Sequence, residues 1–168
     1  MGNTFLLSFE RNPDFNYSPK SIDNLSEYEK YELSFHPERP KYLDYLSIFN
    51  AVEPCFESDD FGTCLIQTHK AELENIPVML IGQQSGPASD YAEIREALGN
   101  PDEVKRWNHG MPVPASYERA VQAVELAEQE NRIIIIFVDT PGADPTEESE
   151  AGGIAWRIGD TIHALADV

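Results

Sequence analysis

The apolar run IIIIFV at residues 133–138, followed directly by Asp139-Thr140-Pro141-Gly142, constrains the fold of this chain more than any other feature. β-Branched side chains pack well on a pleated surface, so the run predicts a β-strand that is buried on both faces. The Pro-Gly pair predicts a turn at the carboxyl end of that strand. Ligands of α/β proteins bind at this end of the strands, so the sequence predicts a ligand site here.

Two further apolar runs, at 64–67 and 78–81, lie on either side of a polar connection that contains Glu72, Glu74 and Asn75. This pattern predicts a β-hairpin or two neighbouring strands. Residues 115–132 give the clearest helical pattern, because a set of apolar side chains recurs on one face. The members of that face are Tyr117, Ala120, Val121, Val124 and Ala127.

The first part of the chain predicts an extended arm at residues 1–30 and two helices. Ser26 is a suitable N-cap for a helix within residues 24–36. Pro40 is suited to open a second helix. The apolar residues of that helix are Tyr42, Tyr45, Leu46 and Phe49.

The remaining connections predict a short helix at 91–98, a loop after the 133–138 strand, and a final helix over 152–168. Glu147, Glu148 and Glu150 make that loop acidic. Helices and strands thus alternate along the chain, which predicts an α/β fold.

Acidic residues dominate the charge of the chain, with 30 Asp and Glu against 12 Lys and Arg and a formal net charge of −18. This charge repels nucleic acid and anionic membranes. Cys55 and Cys64 lack the spacing of a metal site, so we expect no bound metal. Two thiols suit the reducing cytoplasm, and no apolar run is long enough to cross a membrane.

Two kinds of protein place Asp-x-x-Gly or Asp-Thr-Pro-Gly directly after a buried strand. The first is the GTPases, which also need a phosphate-binding loop of the form GxxxxGK[ST]. The loop at Gly82–Gly86 has neither the lysine nor the spacing, so Asp139 would have no nucleotide-bound magnesium to organise. A GTP-binding module is therefore disfavoured.

The second kind is the biotin-dependent carboxyltransferases. Four segments in order resemble the α subunit of the bacterial acetyl-CoA carboxylase carboxyltransferase: HPERPKYLDYL, VMLIGQQSG, GMPVPASYERAVQAVELAEQENR and IIIIFVDTPGADP. The corresponding family patterns are His-Pro-x-Arg-Pro-x-x-x-Asp-Tyr, Gly-His-Gln-Lys-Gly, Asn-Phe-Gly-Met-Pro-x-Pro and Phe-Ile-Asp-Thr-Pro-Gly-Ala-Tyr-Pro. The resemblance covers about residues 33–165.

This resemblance implies a partial crotonase-like ββα spiral within a domain at 31–168. It implies transfer of a carboxyl group from carboxybiotin to acetyl-CoA, giving malonyl-CoA for fatty acid synthesis. The carboxybiotin would be carried by a separate biotin carboxyl carrier protein, and a carboxyltransferase β subunit would supply the CoA side of an α2β2 assembly. Such chemistry relies on backbone N–H groups of glycine-rich turns rather than on a catalytic side chain.

The resemblance also assigns candidate site residues. The carboxybiotin pocket would be lined by Thr140, Pro141, Gly142 and Ala143, with an adjoining wall from Gly82, Gln84 and Gly86. The segment before the long helix would shape the site through Asn108, Gly110, Met111, Pro112 and Pro114.

Departures from the family pattern favour a second hypothesis. Gln83 and Ser85 replace the imidazole and the cation of Gly-His-Gln-Lys-Gly, and the Gly-rich turn expected after another strand does not occur before Val168. We therefore expect at most the first half of the spiral, an oligomer or complex that covers its open edge, and no activity of the chain alone. The alternative is a catalytically inactive truncated relative that serves as an assembly or regulatory module.

Overall fold

The computed structural model describes residues 25–34, 39–56, 65–86, 102 and 106–168. The chain divides into two compact units, Met1–Arg39 and Pro40–Val168. The predicted helix at 91–98 lies outside the described residues, as does Cys64.

Helix α1, Glu27–Leu33, belongs to the first unit. Its start is a capping box, because the backbone N–H of Ser26 donates to Glu29 Oε2 at 2.7 Å and the N–H of Glu29 donates to Ser26 Oγ at 3.3 Å. The prediction that Ser26 caps this helix is confirmed.

The second unit contains a four-stranded sheet with helices on both faces. Its strands are β1 (Asn50–Cys55), β2 (Ile66–Leu73), β3 (Ile76–Gln83) and β4 (Ile133–Phe137). Its helices are α2 (Tyr42–Tyr45), α3 (Pro114–Gln129), α4 (Glu147–Ala151) and α5 (Ile154–Ala166), with 3₁₀ turns at Leu46–Ile48 and Asn108–Gly110.

Strands β2 and β3 form the predicted hairpin. They pair antiparallel in register from Ile66 opposite Gln83 to Leu73 opposite Ile76. The two residues between them, Glu74 and Asn75, both have positive φ, as a type I′ turn requires. The polar residues of the connection therefore extend the strands beyond the two apolar runs and leave a two-residue turn.

Strand β4 pairs parallel with β3, and the sheet order is β1-β2-β3-β4. Val78 lies opposite Ile133, and Gly82 lies opposite Phe137. The connection between two parallel strands must cross the sheet, and α3 lies within this crossover. As a result, β3 and β4 end side by side at the same edge of the sheet.

Each face of the sheet has its own apolar core. Helix α3 packs on one face, where Ala120, Ala123, Val124 and Ala127 meet Met79 and Ile81. The predicted apolar face of this helix is therefore confirmed at Ala120, Val124 and Ala127, and Tyr117 is partly buried against the same core, whereas the predicted Val121 is not part of it. On the other face, the buried Tyr42 packs with Val78 and Leu80, and with the partly buried Phe137.

The prediction that the 133–138 strand is buried on both faces is wrong. Strand β4 is the edge strand, and Ile133 is 58% exposed, Ile136 44% and Val138 79%. A run of β-branched residues predicts strand structure, and these residues do form a strand. The run does not indicate whether a further strand pairs beside it.

Two boundaries also differ from the sequence prediction. The helix expected after Pro40 ends at Tyr45, and Phe49 has extended backbone angles because Asn50–Cys55 pairs with β2. The acidic loop contains helix α4, since the Thr146 side chain accepts from the backbone N–H of Ser149. Its three glutamates lie in the first helical turn, where negative charge is favourable.

The ring of Tyr42 packs directly on the backbone of Gly82, in the space that a side chain at position 82 would occupy. A Cβ at Gly82 would lie 2.0 Å from both Cγ and Cδ2 of Tyr42, so only glycine permits this contact. The Tyr42 hydroxyl lies 2.8 Å from Nδ1 of the buried His69. Burial raises the pKa of Tyr42 and lowers the pKa of His69, which favours a neutral pair.

Gly82→Ala should therefore destabilise the second unit. Overpacking of this kind costs about 1–3 kcal/mol in free energy of unfolding. Gly159→Ala is the matched control, because a Cβ there meets no atom within 4 Å and Gly-to-Ala in a helix stabilises by roughly 0.5–1 kcal/mol. Urea denaturation followed by circular dichroism measures both, and equal transition midpoints would contradict the Tyr42–Gly82 contact.

The exposed edge of β4 should cause the purified chain to associate as its concentration rises, because unpaired strand edges with apolar side chains are templates for pairing. Ile133→Lys should reduce the mean mass measured by analytical ultracentrifugation, since a lysine on the edge disfavours pairing. Ile162→Lys, at an exposed position on α5, is the matched control and should leave the mass unchanged. An equal effect of both variants would exclude association through the β4 edge.

Candidate functional site

The candidate site lies where β3 and β4 end together. Three segments meet here: the loop Gln84–Gly86 after β3, the segment Asn108–Pro112 before α3, and the turn Asp139–Asp144 after β4. Gly110 lies at their meeting point, because a Cβ there would be 3.1 Å from Cβ of Ser85 and 3.4 Å from Cδ of Pro141. The structure thus brings together the three segments that carry the residues assigned to the site, although Gly82 itself lies within β3 under the ring of Tyr42.

Thr140 joins the β4 turn to the Asn108–Pro112 segment. Its Oγ1 lies 2.7 Å from the carbonyl oxygen of Gly110 and 2.7 Å from that of Gly142. The same oxygen accepts from the backbone N–H of Gly142 at 3.1 Å. A single hydroxyl therefore fixes both the shape of the turn and its distance from the neighbouring segment.

Asp139 joins the β4 turn to the β3 loop. Its backbone N–H donates to Gln83 Oε1 at 2.8 Å, and Ser85 Oγ donates to its Oδ2 at 2.7 Å. Gln83 and Ser85 are the two residues that depart from the Gly-His-Gln-Lys-Gly pattern. In this chain their side chains hold the two strand ends together.

Asp144 anchors the far end of the turn and is buried. Its Oδ2 accepts from Thr146 Oγ1 and Ser149 Oγ, both at 2.5 Å, and its backbone N–H donates to the Pro112 carbonyl at 3.0 Å. Burial alone would raise the pKa of Asp144, but these hydroxyls, with a further contribution from Asn108, hold the pKa below its usual value. The carboxylate is therefore ionised near neutral pH.

The second oxygen of Asp144, Oδ1, is buried and makes no hydrogen bond of normal geometry with the residues that the structure describes. Asn108 is close enough to lower the pKa of the carboxyl, but the amide of Asn108 donates at 2.7 Å to the Met111 carbonyl instead. The turn is therefore held through one oxygen of the carboxylate.

Gln84 and the flanking glycines form the base of the site. Gln84 is 0% exposed; its Oε1 accepts from the N–H of Leu43 at 2.9 Å and its Nε2 donates to the Gly86 carbonyl at 2.5 Å. Gly82 belongs to β3 itself and is covered by Tyr42. These contacts show that Gln84 and Gly82 support the loop from within the fold.

The Asn108–Pro112 segment has the backbone of a tight turn, with positive φ at Asn108, His109 and Gly110. Asn108 and Pro112 are buried, whereas His109 is exposed. Pro114 is the first residue of α3, where its fixed φ suits a helix start. The segment holds Gly110 against Ser85 and Pro141.

The turn after β4 offers backbone donors. The N–H groups of Asp139, Gly142 and Asp144 are used within the chain. Those of Thr140 and Ala143 have no hydrogen-bond partner among the described residues. Preorganised N–H groups of this kind can stabilise negative charge on an oxygen of a ligand.

The described part of the chain contains no group of three or more His, Cys, Asp or Glu residues arranged to hold a metal ion. Within the same residues, no helix is long and apolar enough to cross a membrane.

The sequence motifs predict no contact for Gln83, Ser85, Asp139 or Asp144, although these residues hold the site together. One signal was present for Asp144, since it occupies the position of Tyr in the family pattern Gly-Ala-Tyr-Pro. A second signal was the replacement of a basic residue by Ser85. Neither substitution identifies the partner of the new side chain, which only the tertiary structure shows.

Comparison with protein families finds that residues 14–168 match a model described as "Acetyl co-enzyme A carboxylase carboxyltransferase-like". The subunit alpha of the acetyl-coenzyme A carboxylase carboxyl transferase of Pseudomonas putida is 36% identical over 141 residues, as is that of Pseudomonas aeruginosa. The alignment covers 80% of this chain and 41% of each relative. The chain thus spans about two fifths of the length of these relatives.

Solved structures of similar fold include the beta subunit of geranyl-CoA carboxylase from P. aeruginosa, with a TM-score of 0.54 and 18% identity over 78% of this chain and 21% of that chain. The MdcD-MdcE hetero-dimer of a Pseudomonas malonate decarboxylase gives a TM-score of 0.52 and 14% identity over 77% of this chain and 47% of that chain. These similarities confirm the predicted α/β, crotonase-like fold class.

Replacing Asp144 by Asn should destabilise the chain at neutral pH. Hydrogen bonds to a charged group contribute about 1.5–3 kcal/mol each when buried, so we expect a loss of roughly that size. The pKa of Asp144 lies below its unfolded value of about 3.9. Its stabilisation is therefore fully present above about pH 4 and is lost as the pH falls through the folded pKa.

The measurement is urea denaturation of wild type and Asp144→Asn at pH 7 and at pH 3. The difference in free energy of unfolding between the two proteins should be clear at pH 7 and shrink at pH 3. Asp160→Asn, which removes an exposed ion pair with Arg157 on α5, is the control and should cost less than about 1 kcal/mol. A difference for Asp144→Asn that does not change with pH would mean that the ionised carboxylate is not the stabilising form.

Proposed function

Because the chain belongs to the acetyl co-enzyme A carboxylase carboxyltransferase-like family, we propose that it forms the biotin side of a carboxyltransferase site. In this proposal, a carboxyl group passes from carboxybiotin to acetyl-CoA and gives malonyl-CoA. The named function of the Pseudomonas relatives supports the reaction. The carboxybiotin pocket is formed by Thr140, Pro141, Gly142 and Ala143, beside the loop at Gly86.

The observation that carries this proposal is the pair of N–H groups at Thr140 and Ala143, which lie on a turn fixed by Thr140 Oγ1 and Asp144. Breaking the N–C bond of carboxybiotin leaves negative charge on the ureido oxygen. Two donors held in place before the reaction stabilise such charge without reorganisation, and this is commonly the largest contribution to catalysis. The C–C bond forms between the released carboxyl carbon and the enolate of acetyl-CoA, which the partner subunit would hold, and the proton lost by acetyl-CoA passes to the ureido nitrogen from which the carboxyl group departed.

The proposal includes three partners. A carboxyltransferase β subunit provides the CoA side of the site, a biotin carboxyl carrier protein delivers carboxybiotin, and acetyl-CoA is the acceptor. The names of the relatives as subunits, and of a hetero-dimer among the structures of similar fold, support a heteromeric assembly. The uncovered edge of β4 provides a surface for such assembly in the cytoplasm.

A second candidate function is supported by the contacts of Gln83 and Ser85. Gln83 and Ser85 stand where the family pattern has an imidazole and a cation. Both side chains bind Asp139 instead. A relative that keeps the fold but stabilises its strand ends in this way could act as an assembly or regulatory module. This candidate predicts binding to carboxylase subunits without carboxyl transfer.

Transfer to acetyl-CoA, measured with the β subunit and the carboxylated carrier protein present, should decide between these candidates. Thr140→Val should lower kcat/KM by about 10²-fold, because a displacement of roughly 1 Å at a reacting centre has this effect. Thr161→Val is the matched control, since Thr161 Oγ1 donates to the Arg157 carbonyl within α5. The chain alone should be inactive.

Two outcomes would contradict the proposal. The first is that carboxyl transfer occurs at the same rate with and without the chain, while the chain is recovered in complex with carboxylase subunits. This outcome would support the regulatory module. Equal effects of Thr140→Val and Thr161→Val would show that transfer occurs but that the β4 turn is not part of the site.

A further inference from the structure

Helix α5 carries two apolar stripes, of which one is packed and the other is exposed. The packed stripe includes Ile154, which is buried, and Leu165, which joins the core around α3. The exposed stripe, here called the outer stripe, has the helical spacing i, i+4, i+7 and i+11. Its members are Ala155, Gly159, Ile162 and Ala166, all of them exposed. A surface helix normally presents polar or charged side chains on its outer side, so the outer stripe calls for an explanation.

Trp156 lies beside the outer stripe and enlarges its apolar surface. Its side chain is 80% exposed, and that of Ile162 is 64% exposed. The indole is held at the start of the helix, because a Cβ on Gly153 would lie 3.6 Å from Trp156 Cδ1. Single exposed apolar residues are common, but an exposed tryptophan next to an apolar stripe is typical of a binding surface.

Gly159 lies in the middle of the outer stripe and leaves room above it. A Cβ at this position would meet no atom of the described residues within 4 Å. Glycine inside a helix costs about 0.5–1 kcal/mol relative to alanine, and the packing of α5 on α3 does not require it. The open space lets the backbone of another helix approach α5 closely, so the shape of this surface fits a helix.

The charges beside the outer stripe are mainly negative. Asp160 and Asp167 lie on α5, and Glu118 of α3 lies next to it. The basic side chain among them, Arg157, is shared between Glu118 at 2.8 Å and Asp160 at 3.3 Å. His163 lies 3.2 Å from Asp167 and offsets its charge only when protonated. Three carboxylates therefore stand against one guanidinium group.

This charge distribution decides which kind of molecule fits the surface. The three glutamates at the start of α4, directly before α5, are also exposed and add to the negative charge. A second copy of the chain would bring the same carboxylates and be repelled. Helices that bind anionic membranes carry Lys and Arg on their polar side, which α5 does not. A basic protein surface is the complementary partner.

We propose that the outer stripe, together with Trp156, binds an amphipathic helix of a partner protein whose apolar side chains are flanked by Lys or Arg. Trp156 is the anchor, Gly159 allows the two backbones to come close, and Asp160 and Asp167 pair with the basic flanks. With 13 residues, α5 offers a contact of about 20 Å in length. None of these residues belongs to the candidate site.

The first test uses the full chain and a designed basic peptide as the probe. The peptide has about 20 residues, enough to form a helix, with leucine at the a and d positions of each heptad and lysine at the flanking positions. The control peptide has glutamate in place of lysine. In the Trp107→Phe chain, Trp156 is the only tryptophan. The basic peptide should shift its fluorescence to shorter wavelength in a saturable way, and the acidic peptide should leave it unchanged.

The second test locates the binding surface through the affinity for the labelled basic peptide, measured by fluorescence anisotropy. Trp156→Ala should weaken binding about 30-fold, as expected for a tryptophan at the centre of an interface. Ile133→Lys, which changes an exposed apolar residue on the β4 edge, is the matched control and should leave the affinity unchanged. Equal effects of the two variants would overturn the inference.

Gly159→Leu separates binding from stability. Leucine favours the helix more than glycine does, so the midpoint of urea denaturation should rise. The new side chain fills the open space, so the affinity for the basic peptide should fall. Unchanged affinity in this variant would show that no backbone approaches α5 at Gly159.

The last test concerns the charge of the partner. Asp160→Asn combined with Asp167→Asn should weaken binding of the basic peptide and reduce its dependence on salt. Equal binding of the basic and acidic peptides would overturn the inference, as would a shift of Trp156 fluorescence with phosphatidylglycerol vesicles but not with the basic peptide. These measurements require no carboxyl transfer, so failure of the proposed function and failure of this inference are distinguishable.

Discussion

Parallel pairing of β3 with β4 is the constraint on which the candidate site depends. Antiparallel strands would place the β3 loop and the β4 turn at opposite edges of the sheet, whereas parallel strands place them together. The contact of Asp139 with Gln83 and Ser85 then joins the two strand ends directly. Gly110 fits between them because it carries no side chain, and Thr140 Oγ1 binds its carbonyl oxygen.

The sequence was most informative where a local pattern and the tertiary structure require the same thing. The α3 helix, the β2–β3 hairpin and the Ser26 cap follow from side-chain periodicity and from capping or turn chemistry within a few residues. Strand β1 could not be predicted in this way, because it forms by pairing with β2 and its residues include Pro54 and Glu53. The exposure of Ile133 and Ile136 depends on what lies beside β4, about which a local pattern says nothing.

For the site, the motifs predicted which segments would meet, but not how they are held. Gln84 was assigned to a pocket wall, and the structure shows both ends of its amide bonded within the fold. Tyr42 lies forty residues from Gly82, which its ring covers, so no sequence spacing relates the two. Roles that depend on a long-range contact between unlike segments become visible only when the chain is folded.

The short turn between β2 and β3 also has a consequence for the order in which the sheet assembles. Two residues separate these strands, while about fifty separate the end of β3 from the start of β4, and closing a longer loop costs more entropy before any contact forms. The hairpin should therefore nucleate the sheet, and β4 should dock after α3 has formed. In a mutational analysis of folding rates, substitutions at Glu74 and Asn75 would then slow folding, whereas those in β4 would mainly speed unfolding.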